Sequence, residues 1–206
     1  MSMAAIVPVW WVGVAGVLAS FVVGSLNPAV ALARLKGADL HGSGSGNPGA
    51  TNAGRVLGAG WGVLVGVLDV AKGFLPPWVA EQAGWSQPWV LACGLAAVTG
   101  HMFSPFLRGK GGKGVATALG AMLAVQPWYA AVALLVVALA LPVVRRVGLA
   151  SALAAGVLVL VGLADLGGLV GLGTRRDGGW LVVLAGLVLW RHRTNLRAWR
   201  RSLRAG

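Results

Sequence analysis

From Ala4 to Ala33 the chain runs without a single charged residue, and that run limits what the chain can become. A membrane span needs roughly 20 apolar residues, so this stretch supplies one. It is long, or broken at Asn27-Pro28, where proline removes a backbone donor. Further apolar runs follow at Val56–Ala80, Trp89–Thr99, Val115–Val125, Tyr129–Val144 and Val147–Ala164, and a last one opens at Trp180–Trp190. Composition agrees: 11% of residues are charged, against about 25% in soluble proteins, and the mean hydropathy is +0.80. The expected fold is an all-α polytopic membrane protein of about seven transmembrane helices, some short and joined by tight loops. The 206 residues leave little room for a soluble domain, so residues 1–206 form a single integral-membrane domain.

The charges orient that bundle. Arg34, Lys36, Arg55, Arg108, Lys110, Lys113, Arg145, Arg146 and six tail arginines fall on one side, fourteen of the seventeen basic residues. Arg175 and Arg176 fall on the other, and Lys72 lies within a run. The positive-inside rule then puts the N-terminus outside and the C-terminus in the cytoplasm. The formal net charge of +12 suggests nucleic acid in a soluble protein. Here the basic residues sit between and after apolar runs, so they suit orientation and anionic lipid instead. The first basic residue is Arg34; the N-terminus thus lacks the basic region of a cleavable signal, and Met1–Val23 is a retained span. Cys93 is the only cysteine, which excludes an internal disulfide or a cysteine metal site and leaves a buried, inert thiol.

Several features interrupt the apolar runs. Gly58, Gly62 and Gly66 recur at four-residue spacing, a small-residue face for close helix contact. Asp69 and Lys72 meet at i,i+3, either as a structural ion pair or as one wall of a site, because charges at membrane depth face protein or water. Pro76–Pro88 reads as a turn, with Trp78, Trp85 and Trp89 as an interfacial aromatic belt. Asp165–Gly179 reads as a glycine-rich loop.

Three polar segments share the basic side. Gly42–Arg55 reads GSGSGNPGATNAGR: glycines let backbone amides approach an anion, Ser43, Ser45, Thr51 and Asn52 add neutral donors, and Arg55 adds a charged fork. The bland alternative is a flexible linker, which has no need of Arg55 or of Asn47 and Asn52. Gly109–Gly114 reads GKGGKG and precedes a helix-forming run whose free N–H groups would point back into the glycines. It is not a P-loop, since Lys113 is followed by Gly114 and no strand precedes it. The tail carries His192 and Asn195 at i,i+3. Histidine is the obvious general base by side-chain type, unless it is an interfacial residue of a lipid-binding tail. His101 reads as structural, a cap or bridge where a span meets its loop.

At these residues the sequence resembles the PlsY family, membrane glycerol-3-phosphate acyltransferases that use acyl phosphate. The matching stretches are GSGNPGATNAGR (Gly44–Arg55), LDVAKG (Leu68–Gly73), GHMFSPFLRGKGGKGVAT (Gly100–Thr117) and WRHRTN (Trp190–Asn195), in the family's order over nearly the whole chain. The resemblance implies a seven-span bacterial inner-membrane protein with its active site facing the cytoplasm. It implies transfer of a fatty acyl group from acyl phosphate to the 1-hydroxyl of glycerol 3-phosphate, giving lysophosphatidic acid, with no cofactor and no metal. Its partners are those two substrates and membrane lipid, not nucleic acid; no protein partner is implied.

By the same resemblance Ser45, Arg55, Lys113, His192 and Asn195 are catalytic. The matching glycines Gly111, Gly112 and Gly114 bind glycerol 3-phosphate by that resemblance, and Ser43, Asn47, Thr51, Asn52, Lys72, Lys110 and Ser151 are the further expected substrate-binding residues. Two departures stand out: the family's tail glutamate falls at Arg204, and its V-S-L-A-S reads Val147-Gly-Leu-Ala-Ser151 here. Acyl phosphate is an activated mixed anhydride, so positioning and charge stabilisation can supply most of the acceleration. The proton goes either to His192 or to the substrate's own phosphate. An anion transporter would hold its site near mid-membrane in broken helices, and a non-catalytic lipid-binding relative could dispense with Ser45 and His192.

Overall fold

A computed structural model describes residues 9–204; the first residues of the expected N-terminal span lie outside them. The chain folds as α1 (Val9–Ser25), α2 (Pro28–Leu35), α3 (Ala50–Leu57), α4 (Ala59–Gln82) and α5 (Gln87–Met102). A 3₁₀ turn, Pro105–Leu107, leads to α6 (Val115–Val125), α7 (Pro127–Val144), α8 (Val147–Leu166), α9 (Arg175–Arg191) and α10 (Arg193–Arg204). No strand occurs among the described residues. Among the described residues five segments are long and apolar enough to cross a membrane: Trp10–Leu35, Ala59–Gln82, Gln87–Leu107, Pro127–Val144 and Val147–Leu166. α6 is apolar but has only 11 residues, about 16 Å of helix against a hydrocarbon core of about 30 Å.

The break at Asn27-Pro28 is real, and the protein uses both of its loose ends. Asn27 caps α2 by accepting from the Val30 amide at 2.9 Å, and its side-chain amide donates to the Pro48 carbonyl at 3.0 Å. The carbonyl of Leu26 accepts from Lys72 Nζ at 2.6 Å. Lys72 lies 2.8 Å from Asp69 Oδ1, and both side chains are buried. The i,i+3 pair is therefore a clamp between α4 and the kinked first span.

Packing is closest where glycine permits it. A Cβ on Gly73 would meet the Thr117 carbonyl and one on Gly120 the Val70 carbonyl, so α4 and α6 touch backbone to backbone. Of the three spaced glycines, Gly62 lies against Gly54 of α3 and Gly66 near Ala50, whereas Gly58, at φ +103°, forms the turn between α3 and α4. The main core lies among α5 to α9, where Val98, Met102, Ala121, Tyr129, Leu181 and Leu184 are buried.

Two boundaries differ from the sequence expectation. α4 continues through Pro76 and Pro77 to Gln82, so the expected Pro76–Pro88 turn shrinks to the residues before Gln87. Pro77 and Ala80 are buried there and Phe74 stacks on Trp78, so packing offsets the missing donors. α9 begins at Arg175, inside the expected Asp165–Gly179 loop. Its start is a capping box: Thr174 Oγ1 accepts from the Asp177 amide at 3.3 Å, and Asp177 Oδ2 accepts from the Thr174 amide at 2.9 Å.

A polar network fixes this end of the bundle. Tyr129 donates to Asp165 Oδ2 at 2.7 Å, the Gly171 and Leu172 amides donate to Asp165 Oδ1, and Gln87 donates to Asp177 at 3.0 Å. The opposite end, where α8 starts and α9 finishes, is left for the site.

Candidate active site

The Gly42–Arg55 stretch is a wound loop followed by a helix, and Asn52 holds it together. Asn52 Oδ1 accepts from the Ser45 amide at 2.7 Å, and its Nδ2 donates to the carbonyls of Leu40 at 3.1 Å and Ser43 at 3.0 Å. Gly44 and Gly46, at φ +61° and +68°, take the left-handed conformation this winding needs. The flexible-linker reading does not survive: Asn52 is 1% exposed, and its amide organises the loop.

The second loop is fixed as firmly. The Gly112 amide donates to the His101 carbonyl at 3.2 Å. Arg191 donates from Nη2 to the Gly111 carbonyl at 2.7 Å and from Nε to the Gly112 carbonyl at 3.2 Å. A Cβ on Gly111 would strike the His101 and Met102 carbonyls, and one on Gly112 the His101 ring. These two glycines are demanded by the protein's own packing. His101 Nδ1 in turn lies 3.4 Å from Asp69 Oδ1, so Lys72, Asp69 and His101 brace the loop from below.

That bracing delivers Lys113 and Gly114 to a cavity of about 530 Å³. Gly114, at φ +79°, starts α6, and Lys113 Nζ donates to Asn195 Oδ1 at 2.8 Å. Burial, with Arg55 and Arg191 adding to it, holds the Lys113 ammonium below its ordinary pKa. His192, 1% exposed, ends α9 with Nδ1 2.8 Å from the Val188 carbonyl. A carbonyl only accepts, so Nδ1 carries the proton and the neutral ring keeps its lone pair on Nε2. Burial lowers the His192 pKa; the Val188 carbonyl opposes this, and Lys113 and Arg191 add to it.

The cavity gathers ten of the expected residues: Ser45, Asn47, Thr51, Asn52 and Arg55 from the first loop and α3, Lys113 and Gly114 from the second, Ser151 from α8, and His192 and Asn195 from the tail. Ser43, Lys72, Lys110, Gly111 and Gly112 do not line it. Ser43 lends its carbonyl to Asn52, and Lys72 is engaged with Asp69 and Leu26. Lys110 is exposed, its carbonyl accepting from His41 Nε2 at 3.3 Å.

Asp69 lines the cavity as well, so one member of the i,i+3 pair serves both alternatives, ion pair and wall. His101, Arg145, Arg146 and Gly148 line it without having been expected there. Arg145 and Arg146 had counted only as orienting charges, although their position between two spans on the glycine-loop side was a usable signal. Gly148 leaves the space that Asn195 Nδ2 fills.

An apolar groove adjoins the cavity. It runs among α6, α7, α8 and α9 past Met122, Leu134, Val137, Leu158 and Val188. Val115, Leu119 and Ser151 line both spaces.

A helical membrane bundle with a cationic, loop-walled cavity at one end and an apolar groove leading from it defines a membrane protein built to hold an anion beside hydrocarbon. Comparison with known proteins narrows this class. The family pattern described as glycerol-3-phosphate acyltransferase matches residues 14–202. The glycerol-3-phosphate acyltransferase of Aromatoleum aromaticum is 44% identical over 181 residues, 87% of this chain and 89% of the relative. That of Geobacter sulfurreducens is 40% identical over 180 residues, 86% and 89%. The crystal structure of PlsY (YgiH), an integral membrane glycerol 3-phosphate acyltransferase, in its glycerol 3-phosphate form superposes with a TM-score of 0.83 at 37% identity, covering 92% of each chain. Its lysophosphatidic acid form gives 0.79. The chain belongs to the glycerol-3-phosphate acyltransferase family, PlsY type.

Proposed function

We propose that this protein transfers a fatty acyl group from acyl phosphate to the 1-hydroxyl of glycerol 3-phosphate, releasing lysophosphatidic acid and inorganic phosphate. The observation that carries the reading is the continuity of the two spaces. Val115, Leu119 and Ser151 belong to both the cationic cavity and the apolar groove, as a substrate with a charged head and a long acyl chain requires. Glycerol 3-phosphate and lysophosphatidic acid name the two forms of the solved relative, which supports the same acceptor and product here.

In the reaction the acceptor hydroxyl oxygen attacks the acyl carbonyl carbon, the bond from that carbon to the phosphate oxygen breaks, and phosphate departs. Arg55 and Lys113 neutralise the two phosphates, with Arg145 and Arg146 at the rim. Ser45, Thr51, Ser151 and the first free amides of α6 offer neutral donors to the oxyanion that forms on the carbonyl. Asn195 holds Lys113 in place, and Asn47 lines the acceptor side of the first loop. The hydroxyl proton passes to Nε2 of His192 or to the substrate's own phosphate. No residue is acylated, because the mixed anhydride is activated already.

The protein spans the bacterial inner membrane seven times, with α6 and α9 as its short members and the site open to the cytoplasm. Cysteine labelling from a Cys93-free parent tests this: positions 109–114 and 192–197 should label from one face only, and labelling of the two segments from opposite faces refutes it. Purified protein should convert acyl phosphate and glycerol 3-phosphate without ATP or a thioester. Strict dependence on acyl-CoA would overturn the donor assignment.

A further inference from the structure

Besides Asn195, the last described helix carries a set of basic residues that the proposed reaction does not use. α10 carries Arg193, Arg197, Arg200 and Arg201 at i, i+4, i+7 and i+8, with Arg204 at i+11. At 3.6 residues per turn these positions fall within an arc of about 100°, the spacing that normally makes an apolar stripe. The first four are exposed. The positions away from the stripe include Leu196, half-buried, and Trp199, 40% exposed.

Among the described residues no carboxylate forms an ion pair with this stripe. The five acidic residues of the chain are Asp39, Asp69, Glu81, Asp165 and Asp177. Asp39 accepts from the amides of His41 and Gly42, Asp69 is paired with Lys72, and Asp165 and Asp177 belong to the network at the other end of the bundle. Glu81 is the last residue but one of α4, at the end that leads into that network's helix α5. In the stripe, Arg193, Arg197, Arg200 and Arg201 are therefore exposed cations with no carboxylate partner among the described residues.

Its height is also set. Arg193 lies 3.9 Å over the ring of Trp190, which is itself 46% exposed at the end of α9. An exposed tryptophan there marks the level of a membrane interface.

We propose that α10 is a docking surface for the anionic phospholipid headgroups of the adjacent leaflet, with its arginine stripe on the lipid phosphates. An amphipathic helix with a strongly basic face and low overall hydrophobicity, starting at interface height, has the chemistry of a surface-bound membrane helix. The site feels this docking, because α10 also carries Asn195, which accepts from Lys113 Nζ at 2.8 Å. Anionic lipid under the stripe thus steadies the residue that positions Lys113. The docking stands apart from the donor chemistry, and only its effect on rate rests on the proposed reaction.

The test uses the full chain in nanodiscs of phosphatidylcholine with and without phosphatidylglycerol, and reads amide hydrogen exchange in 193–204. Exchange should slow by about tenfold with phosphatidylglycerol and recover in about 0.5 M salt. The triple variant Arg197→Gln, Arg200→Gln, Arg201→Gln should lose the lipid dependence while keeping the exchange and turnover of the parent in phosphatidylcholine. Acyl transfer by the parent should rise severalfold with phosphatidylglycerol and by the variant should not. Equal exchange of the parent in both membranes overturns the proposal with no mutation needed. So does a lipid effect that survives in the triple variant, or protection produced by added RNA and not by lipid. Because exchange is read without turnover, its failure is distinct from failure of the acyl-transfer assay.

Discussion

Gly148→Ala should separate activity from stability. A Cβ at this position would run into Asn195 Nδ2, so the Asn195 side chain must move and its bond from Lys113 Nζ, 2.8 Å long, is lost. Hydrogen bonds to charged groups contribute about 1.5–3 kcal/mol, which corresponds to a fall in kcat/KM of roughly ten- to a hundredfold. The fold should not suffer. Gly148 is the second residue of α8, and alanine in a helix is favoured over glycine by about 0.5–1 kcal/mol, less near an end. Thermal stability in detergent should therefore hold or rise slightly while turnover collapses. The double variant with Asn195→Ala is the decisive control: once the amide is gone, the added methyl has nothing to displace, and the two losses should overlap instead of adding. Losses that add in the double variant, or kcat/KM within twofold of the parent for Gly148→Ala alone, would refute this account.

Other outcomes follow from the same contacts. With His192 as base, its neutral form is the active one, and because burial lowers its pKa the acid limb of kcat/KM should lie below pH 6.5; a limb above that value, or one persisting in His192→Gln, contradicts the assignment. Gly112→Ala drives a methyl into the His101 ring, so apparent KM for both substrates and thermal stability should worsen together, and a selective loss of glycerol 3-phosphate binding would show that the backbone there serves the ligand. Asp69→Asn leaves the buried Lys72 ammonium without its partner and should destabilise the bundle by about 3–5 kcal/mol; Asp69→Asn with Lys72→Met should recover much of that in a detergent melting assay. Arg145→Ala with Arg146→Ala removes two of the cationic groups lining the cavity, and should raise KM for the phosphate substrates severalfold with little change in melting temperature.

The apolar runs were legible because a bilayer leaves the backbone no choice but helix, and charges at their ends mark where they stop. The gathering of Arg55, Lys113, His192 and Asn195 was legible too, since their segments share the basic side. What failed was local. Pro76-Pro77 reads as a stop, yet burial of Pro77 and Ala80 carries α4 past it. The capping box of Thr174 and Asp177 was present in the letters but hidden inside a glycine-rich stretch. Gly111 and Gly112 carry a second demand that the letters hide: glycine in a polar loop suggests a ligand, and here the two also admit the neighbouring His101 and Met102. Asn52 is the converse, a polar residue that suggests a ligand donor and is consumed by its own loop. Neither distinction is visible without knowing which segment packs beneath.

The clamp between Lys72, Asp69 and Leu26 also constrains how the protein is made. Each charge placed at the centre of a helix entering the bilayer costs about 2.5–3.5 kcal/mol, and α4 brings two. Because they stand one turn apart, the pair closes at 2.8 Å within α4 itself, before any neighbour is needed. The third contact, to the Leu26 carbonyl, exists only once the broken first span has been inserted. Synthesis order supplies this, since the acceptor leaves the ribosome 46 residues ahead of the lysine. A translocating α4 can thus insert as a nearly neutral segment and then lock onto a partner already waiting in the membrane.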